Sequence, residues 1–360
     1  MDKYRPKLII CENVPLAPYT TLGVGGPARF FVEVKNEDRI LDATGFARAR
    51  SCPYFILGSG SNIVVSDTGF PGVVIKMDIP GIKVQGKIND ARISVGAGVA
   101  WDIFVQYCVT ENLAGVECLS GIPGTVGGAP VQNIGAYGEE AGDVILRVRV
   151  LDRLSHSITE LDNADCQFTY RSSIFNSTHK DRYVILNVEF ALRSDGRSRV
   201  QYKDLQKHFA RSSQLPKISE VRQAVLQIRE SKGMILNDSD PDSKSVGSFF
   251  KNPVLDLETI AGVESVARER GILGASETIP RFTTPEGHEK LAAAWFIERA
   301  GFHKGFALGR AGISGKHALA IINKGGATAR DILDLMYKIQ ERVLELVGIE
   351  LEPEPVFVGF

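Results

Sequence analysis

From the N-terminus, short apolar runs alternate with turn signals. ARFFVEV (Ala28–Val34), PYFILG (Pro53–Gly58), NIVVSD and GVVIKM have the β-branched and aromatic content of strands. Between the first two, Glu37 to Ala49 predicts a helix, with Asn36 placed to accept from its first unpaired amides. This is the pattern of a small α/β unit, residues 1–90. Strands then dominate a second unit, residues 91–214: ARISVGAGV, ILRVRVLDRL and RYVILNVEFAL all alternate with period two. Among them lies a glycine-rich stretch, Gly115 to Gly142, which buries little side chain and suits close approach of backbone to a ligand.

Near residue 215 the period changes to that of helices. SEVRQAVLQIRESKG is amphipathic and closed by Gly233, and KLAAAWFIERAG (Lys290–Gly301) is a second helix ending in glycine. A third begins at Thr328, where TARD has the form of a capping box with Asp in the Glu position. Ile332, Leu335, Met336, Ile339, Val343 and Leu346 mark one face of it, and Gly348 ends it. ALAIIN (Ala318–Asn323) predicts a strand just before. A third unit, residues 215–348, follows from this change, and the Pro-broken tail 349–360 is expected to pack back on the first. The fold class is α+β.

Composition narrows the function. The 360 residues exceed one comfortable core, and a hydrophobic fraction of 44% with 24% charged residues is that of a soluble globular protein. A formal net charge of −1 provides no global field to recruit nucleic acid or an acidic membrane, so an anionic ligand must be held locally. The five cysteines (Cys11, Cys52, Cys108, Cys118, Cys166) form no CxxC pair, which fits a reducing cytoplasm rather than a disulfide framework or zinc site. No apolar run approaches the ~18–20 residues that span a bilayer. The six histidines are scattered without metal-ligand spacing, so no metal is expected.

Five segments carry candidate chemistry. LGSGSNIVVSD (Leu57–Asp67) ends a strand in a turn whose successive amides and serine hydroxyls can nest a pyrophosphate. It is not the dinucleotide fingerprint, because Ile63 replaces the third glycine and a strand follows; alone, such a segment is more often just a turn. SGIPGTVGGAPVQNIGAYGEE (Ser120–Glu140) packs four glycines and two prolines into ten residues, a long path that is too apolar for disorder. FTYRSSIF (Phe168–Phe175) places Arg171 in an aromatic run, which calls for an anion or an internal ion pair. SKSVGSFFKNP (Ser243–Pro253) sets Ser248 between glycine and two phenylalanines, without the GxSxG elbow. In the tail LEPEP, Glu352 and Glu354 have the period-two spacing of one face of an extended segment.

These segments recur in a fixed order: YTTLGVGGPA, LGSGSN, GIPGTVGGAPVQNIGAYG, YRSSIF, QYKDL, GSFFKNP, AAWFIERAG, KHALAIIN and LEPEP. In that order they closely resemble the UDP-N-acetylenolpyruvoylglucosamine reductase family, over nearly the whole chain from Asn13 to Phe360. The resemblance implies a two-subdomain FAD-binding module of the vanillyl-alcohol-oxidase type plus a C-terminal α+β substrate domain. It implies non-covalent FAD, with Gly58, Ser59, Gly60, Ser61 and Asn62 at the pyrophosphate. Ile122, Pro123, Gly124, Gly127, Gly128, Gln132, Gly135 and Ala136 would lie along the isoalloxazine. The family's catalytic arginine, serine and glutamate fall on Arg171, Ser248 and Glu354. Its substrate contacts fall on Tyr170, Tyr202, Arg229, Lys232, Asn252 and His317. Two places depart from the family pattern. Some relatives carry arginine where Val356 stands, and some glutamine where His317 stands, which puts the substrate-carboxylate contacts there in doubt.

The implied partners are NADPH and the enolpyruvyl ether of UDP-N-acetylglucosamine, with no nucleic acid or membrane; a cytoplasmic monomer is expected. The implied reaction has two halves: NADPH reduces FAD, then a hydride passes from reduced FAD to the enolpyruvyl CH₂. Arg171 would stabilise the charge that develops, at roughly 3–4 kcal/mol for such a donor. Glu354 would orient the enolate while protonated, which needs a raised pKa. Ser248 would deliver the proton, with Lys232 and Lys251 as candidates to support its acidity. The product is UDP-N-acetylmuramate, a peptidoglycan precursor. Three alternatives stand beside this one: a flavin-dependent alcohol or sugar oxidase, a nucleotide-sugar binding protein, and a serine hydrolase built on Ser248.

Overall fold

The computed structural model describes residues 7–85, 91–198, 200, 202–210, 214–283 and 287–360. The chain forms two compact units, each assembled from separate stretches. Unit 1 comprises Met1–Val14, Ala28–Gly60 and Phe70–Ser231; unit 2 comprises Pro15–Pro27, Ser61–Gly69 and Lys232–Phe360. The boundary expected after residue 90 falls in residues 86–90, outside the described residues. The helix expected to open the C-terminal unit, Ile218–Ser231, instead groups with unit 1.

Unit 1 holds two sheets. In the first, Pro27–Val34 and Tyr54–Leu57 both run parallel to Phe70–Met77, and Cys11–Pro15 occupies the edge beside Pro27–Val34. The Glu37–Ala49 helix links two of these strands, with the Asn36 side chain accepting from Arg39 N at 2.9 Å. The second sheet is antiparallel, in the order Ile158–Asp162, Ile145–Asp152, Tyr183–Leu192, Ala91–Gly96, Ile82–Gln85. A helix over Trp101–Thr110, which sequence periodicity did not predict, packs its buried side on this sheet. Phe104 and Phe190 lie 4.5 Å apart between ring centres, with Trp101 against both. Such aromatic burial dominates core energetics, and here it fixes the helix whose N-terminal end meets the glycine-rich stretch.

Unit 2 is organised around the Ala329–Val347 helix, which buries Ile332, Leu335, Met336, Ile339 and Val343. The expected capping box is present: Thr328 Oγ1 accepts from Asp331 N at 3.1 Å, and the Asp331 carboxylate accepts from Thr328 N at 2.8 Å. Gly348 takes the left-handed conformation that closes the helix. Asp67 adds a second cap, accepting from Ala329 N at 2.7 Å and Arg330 N at 3.0 Å. A further helix, Leu257–Glu269, was not anticipated. The helix expected from Lys290 covers only Ala293–Arg299, because Glu289–Leu291 pairs as a strand with Arg281–Thr283 and Val254–Leu255. ALAIIN contributes the strand Ile321–Asn323.

Two N-terminal stretches belong with unit 2 for identifiable reasons. Asn323 Nδ2 donates to Leu22 O at 2.9 Å, and Thr21 Oγ1 to Ser245 O at 2.6 Å. Ile63–Val65 pairs in parallel with the tail strand Val356–Val358. The tail thus does meet residues from the first ninety, but ones that belong to unit 2. Gly26 of the YTTLGVGGPA segment is dictated by close approach: a Cβ there would lie 2.1 Å from Asp67 O.

Replacing Asp67 by Ala removes two amide acceptors at the start of the central helix of unit 2. The expected loss is about 1–2 kcal/mol, read as a lower urea midpoint. An unchanged midpoint would mean that Thr328 and water satisfy those amides alone.

Candidate active site

In unit 1 the first two glycine motifs converge on Thr125. The Leu57 strand ends in the 58–62 turn, and a Cβ added at Gly58 would meet Thr125 Oγ1 at 3.0 Å; one at Gly128 would meet the same oxygen at 3.8 Å. Thr125 was quoted within GIPGTVGG but given no role. Its place in the motif was the available signal. The Ile122–Gly128 turn is pinned to the segment entering the Trp101 helix. Trp101 N donates to Gly124 O at 3.0 Å, Val126 N to Val99 O at 2.9 Å, and Gly127 N to Ala97 O at 2.9 Å. A Cβ at Gly127 would stand 2.7 Å from that of Ala97, so this glycine serves packing.

The following strip, Gln132 to Ala136, is stapled by Asn133. Its left-handed backbone (φ 46°) turns a nearly buried side chain inward, where Nδ2 donates to Glu140 Oε2 at 2.7 Å and to Thr169 O at 3.1 Å. Oδ1 accepts from Gly142 N at 2.8 Å. The bond to Thr169 brings the FTYRSSIF loop against the strip. Arg171 lies there, half-buried, donating from Nη2 to Gly135 O at 2.7 Å and resting over the Tyr170 ring at 5.4 Å. Its own backbone is left-handed, with φ 54°. A non-glycine residue in that region is held there by its surroundings, and such outliers cluster at functional sites. Asn176 Nδ2 supplies one restraint by donating to Arg171 O at 3.1 Å.

Arg229 and Tyr202 flank the same stretch. Arg229 is 5% exposed and donates from Nε to Gly121 O at 3.2 Å. Burial lowers its pKa, opposed by the nearby Tyr137 and by Asp102. Asp102 accepts from Gly121 N at 2.6 Å and forms a two-point ion pair with Arg222 at 2.6 and 2.8 Å. Burial would raise the Asp102 carboxyl, but Arg222 and the Gly121 amide hold it below its usual range. The Tyr202 ring stands edge-on to Tyr137 at 5.5 Å, and Tyr202 O accepts from Gln206 N at the start of a short helix. Gln201 of the QYKDL segment lies outside the described residues. Tyr137, with φ 51°, is a second residue that sequence reasoning left without a role.

Two acids interact close to this stretch, Glu117 and the half-buried Glu139. Glu117 is fully buried, with Oε2 accepting from Gly115 N at 2.6 Å and Val116 N at 3.1 Å. Glu139 accepts from Cys118 N at 2.9 Å. Desolvation, then the neighbouring Glu117 charge, pushes the Glu139 carboxyl up to about 7.

In unit 2, Ser248 and Glu354 are brought together by backbone. Phe250 and Pro353 form an antiparallel bridge, Lys251 N donates to Glu352 O at 2.9 Å, and Glu354 N donates to Phe249 O at 2.9 Å. Asn62 of the LGSGSN turn grips the same tail: its Nδ2 donates to Glu354 O at 3.3 Å, and its carbonyl accepts from Val356 N at 2.9 Å. Ser248 Oγ faces His317 Nε2 at 3.3 Å. Lys251, one of the two lysines expected to support Ser248, has its ammonium paired with Glu352 at 2.5 Å. That pair also separates the fates of the two tail acids: Glu352 is exposed, Glu354 half-buried. Asn252 Oδ1 accepts from Ala293 N at 2.9 Å, so part of this expected substrate contact serves the fold. Lys232 is half-buried just after the Ile218–Ser231 helix.

Among the described residues no group of three or more His, Cys, Asp or Glu could hold a metal, and no helix is long and apolar enough to cross a membrane. The five cysteines are free thiols.

Comparison with known proteins adds three findings. Residues 28–159 match the FAD binding domain, and residues 240–358 match the UDP-N-acetylenolpyruvoylglucosamine reductase C-terminal domain. The chain is 44% identical to the UDP-N-acetylenolpyruvoylglucosamine reductase of Thermobifida fusca, over 97% of its own length and 98% of the relative's. For the Saccharopolyspora erythraea protein of the same name the values are 40%, 95% and 94%. The crystal structure of the Thermus caldophilus reductase (MurB) matches with a TM-score of 0.63 at 26% identity, covering 98% of this chain and 99% of that one.

The interacting acid pair gives a stability test. With its folded pKa raised from 4.5 to about 7, Glu139 holds its proton in the folded state longer than in the unfolded one. Stability should therefore fall as pH rises between those two values. Glu139→Gln mimics the protonated acid and should flatten that decline, raising the urea midpoint at pH ~8 above wild type. Equal midpoints across the range would refute the assignment.

Proposed function

The chain belongs to the UDP-N-acetylenolpyruvoylglucosamine reductase family, and on that premise we propose that it reduces the enolpyruvyl ether of UDP-N-acetylglucosamine to UDP-N-acetylmuramate with NADPH and FAD. The observation that carries the catalytic reading is the pairing of the GSFFKNP and LEPEP segments, which sets Ser248 beside Glu354 although they are remote in sequence.

The residues present fit FAD. The 58–62 turn offers successive amides and two serine hydroxyls for a pyrophosphate. Gly58 keeps a side chain away from Thr125, whose Oγ1 would stand 3.0 Å from a Cβ there, leaving backbone open for a flat ligand. Gly58 to Asn62 would hold the pyrophosphate, and the Ile122–Gly128 turn with Gln132, Gly135 and Ala136 the ring system. When bound, FAD supplies the hydride that adds to the enolpyruvyl CH₂.

The chain's own residues handle the resulting charge and the proton. Arg171 presents a guanidinium already fixed by Gly135 O and by its strained backbone, so little reorganisation is needed as negative charge develops. Ser248 donates the proton to the carbon next to the substrate carboxylate. Glu354, clamped through its main chain by Asn62 and Phe249, orients that enolate. Tyr170, Tyr202, Arg229, Lys232, Asn252 and His317 are the assigned substrate contacts, with the Arg229 Nε and Asn252 Oδ1 atoms also serving the fold. The free thiols suit a reducing cytoplasm, and we take the chain to act there as a monomer.

The purified protein should be yellow, bleach with NADPH, and regain colour when the enolpyruvyl nucleotide is added. Ser248→Ala should still bleach but recover at least ~100-fold more slowly, the scale of a lost general acid. Equal slowing of both steps would remove Ser248 as proton donor. A colourless protein that does not take up FAD would refute the whole reading.

A further inference from the structure

Ser248 is a hydroxyl, and a hydroxyl is a poor acid unless something restores its proton as it leaves. Of the two lysines expected to support it, Lys251 has its ammonium paired with Glu352, and Lys232 lies half-buried just after the Ile218–Ser231 helix. What the fold places at Ser248 is the imidazole of His317, with Nε2 at 3.3 Å from Oγ.

The imidazole is not there by accident of a loose loop. Ser314, fully buried, accepts on Oγ from His317 N at 3.2 Å and Lys316 N at 3.0 Å, and its amide donates to Ala320 O at 2.9 Å. Ala320 N returns a bond to His317 O at 3.1 Å. The same turn is joined to the serine segment, because Phe249 N donates to Leu319 O at 2.8 Å. Serine and histidine therefore sit on two segments locked to each other one residue from the former and two from the latter.

We propose that His317 is the proton-relay partner of Ser248, orienting its hydroxyl and returning a proton to it after each transfer. This rests on the reductase reading and adds a role beyond substrate contact. After hydride from reduced flavin has reached the CH₂, the Ser248 O–H bond breaks as a C–H bond forms at the carbon bearing the carboxylate. The Nε2–H bond of the His317 imidazolium breaks as the Ser248 O–H bond re-forms, and the neutral imidazole recovers a proton from water. His317 is thus a positioning residue acting through Ser248. A free imidazole, with a reference pKa near ~6.5, exists as acid and base near neutrality, unlike an alcohol.

The charged groups around it come from several segments. On its own turn Lys316 is paired with Asp240 at 2.7 Å. From the 240–243 turn Asp242 approaches Gly315, within 3.3 Å of a Cβ built there. The serine segment is paired in turn with the tail, where Glu354 N donates to Phe249 O and Glu352 pairs with Lys251.

The test combines kinetics with a spectroscopic readout. In wild type, reoxidation of the reduced flavin by the enolpyruvyl nucleotide should slow as pH rises from ~6 to ~8, because the imidazolium is lost. His317→Gln keeps a hydrogen-bonding group but cannot titrate. It should slow reoxidation by ~10–100-fold, the span of a modest acid–base contribution, and abolish that pH limb. Independently, the His317 ring nitrogens followed by ¹⁵N NMR in the FAD-loaded protein should titrate differently in Ser248→Ala. Parallel pH profiles for wild type and His317→Gln, or a His317 titration indifferent to Ser248→Ala, would overturn the relay. Failure of wild type to be reoxidised by the nucleotide at any pH would overturn the reductase reading itself, and the relay with it.

Discussion

One short backbone contact organises the candidate chemistry of unit 2: the antiparallel bridge between Phe250 and Pro353. It joins segments that are about a hundred residues apart, a closure that costs conformational entropy and must be offset locally. Phe249 and Phe250, almost wholly buried, supply the offset; removing such a side chain typically costs about 3–5 kcal/mol. The pair also sets direction. With both rings in the core, Ser248 is left at the edge of the packed segment, facing His317, and the tail is drawn so that Glu354 N meets Phe249 O. The parallel pairing of Val356–Val358 with Ile63–Val65 carries the same tail onward and lets Asn62 hold Glu354 by its carbonyl.

Unit 1 reaches a similar end by other means. Its candidate residues sit on a glycine-rich path that has few side chains to pack, so order must come from hydrogen bonds. Asn133, Asp102 and Glu117 supply them, each satisfying backbone amides or carbonyls that the path would otherwise leave unpaired. The cost appears as left-handed backbone at Asn133, Tyr137 and Arg171, and as a Glu139 carboxyl that desolvation and then the Glu117 charge push toward neutrality. These tensions lie at and near the strip that contacts Arg171. A scaffold evolved for stability alone would have little reason to collect them there.

Much of this was legible in the sequence where local rules govern. The Thr328 capping box, the Gly348 stop and the apolar face between them needed only spacing, and the structure reproduces them. Asn36 and its helix were equally plain. The Trp101–Thr110 helix was not, because it opens on Ala100 without a side-chain cap and is rich in aromatic and β-branched residues that read as strand. Lys290 was drawn into the wrong element because a strand and a helix follow one another there with no glycine or proline between them. The sorting of residues 15–27 and 61–69 into unit 2 could not be read at all, since it depends on Asn323 and the tail strand, roughly three hundred residues away. The candidate residues were legible as motifs, yet their partners were not: nothing local links Ser248 to His317 or Arg171 to Gly135.

That difference matters most for the acid chemistry. The sequence nominates Lys232 and Lys251 as support for Ser248, and an ammonium is a reasonable choice on charge alone. The fold instead pairs the Lys251 ammonium with Glu352 at the surface. A serine that must give up a proton and regain it needs a neighbour whose own proton is easily lost and easily replaced near neutral pH. Imidazole has that property, and the 314–320 turn spends a fully buried serine on holding one in place. On the proposed reading, a histidine as Ser248's neighbour changes the expected chemistry from fixed electrostatic support to proton relay, and would tie the rate of the second half-reaction to an imidazole.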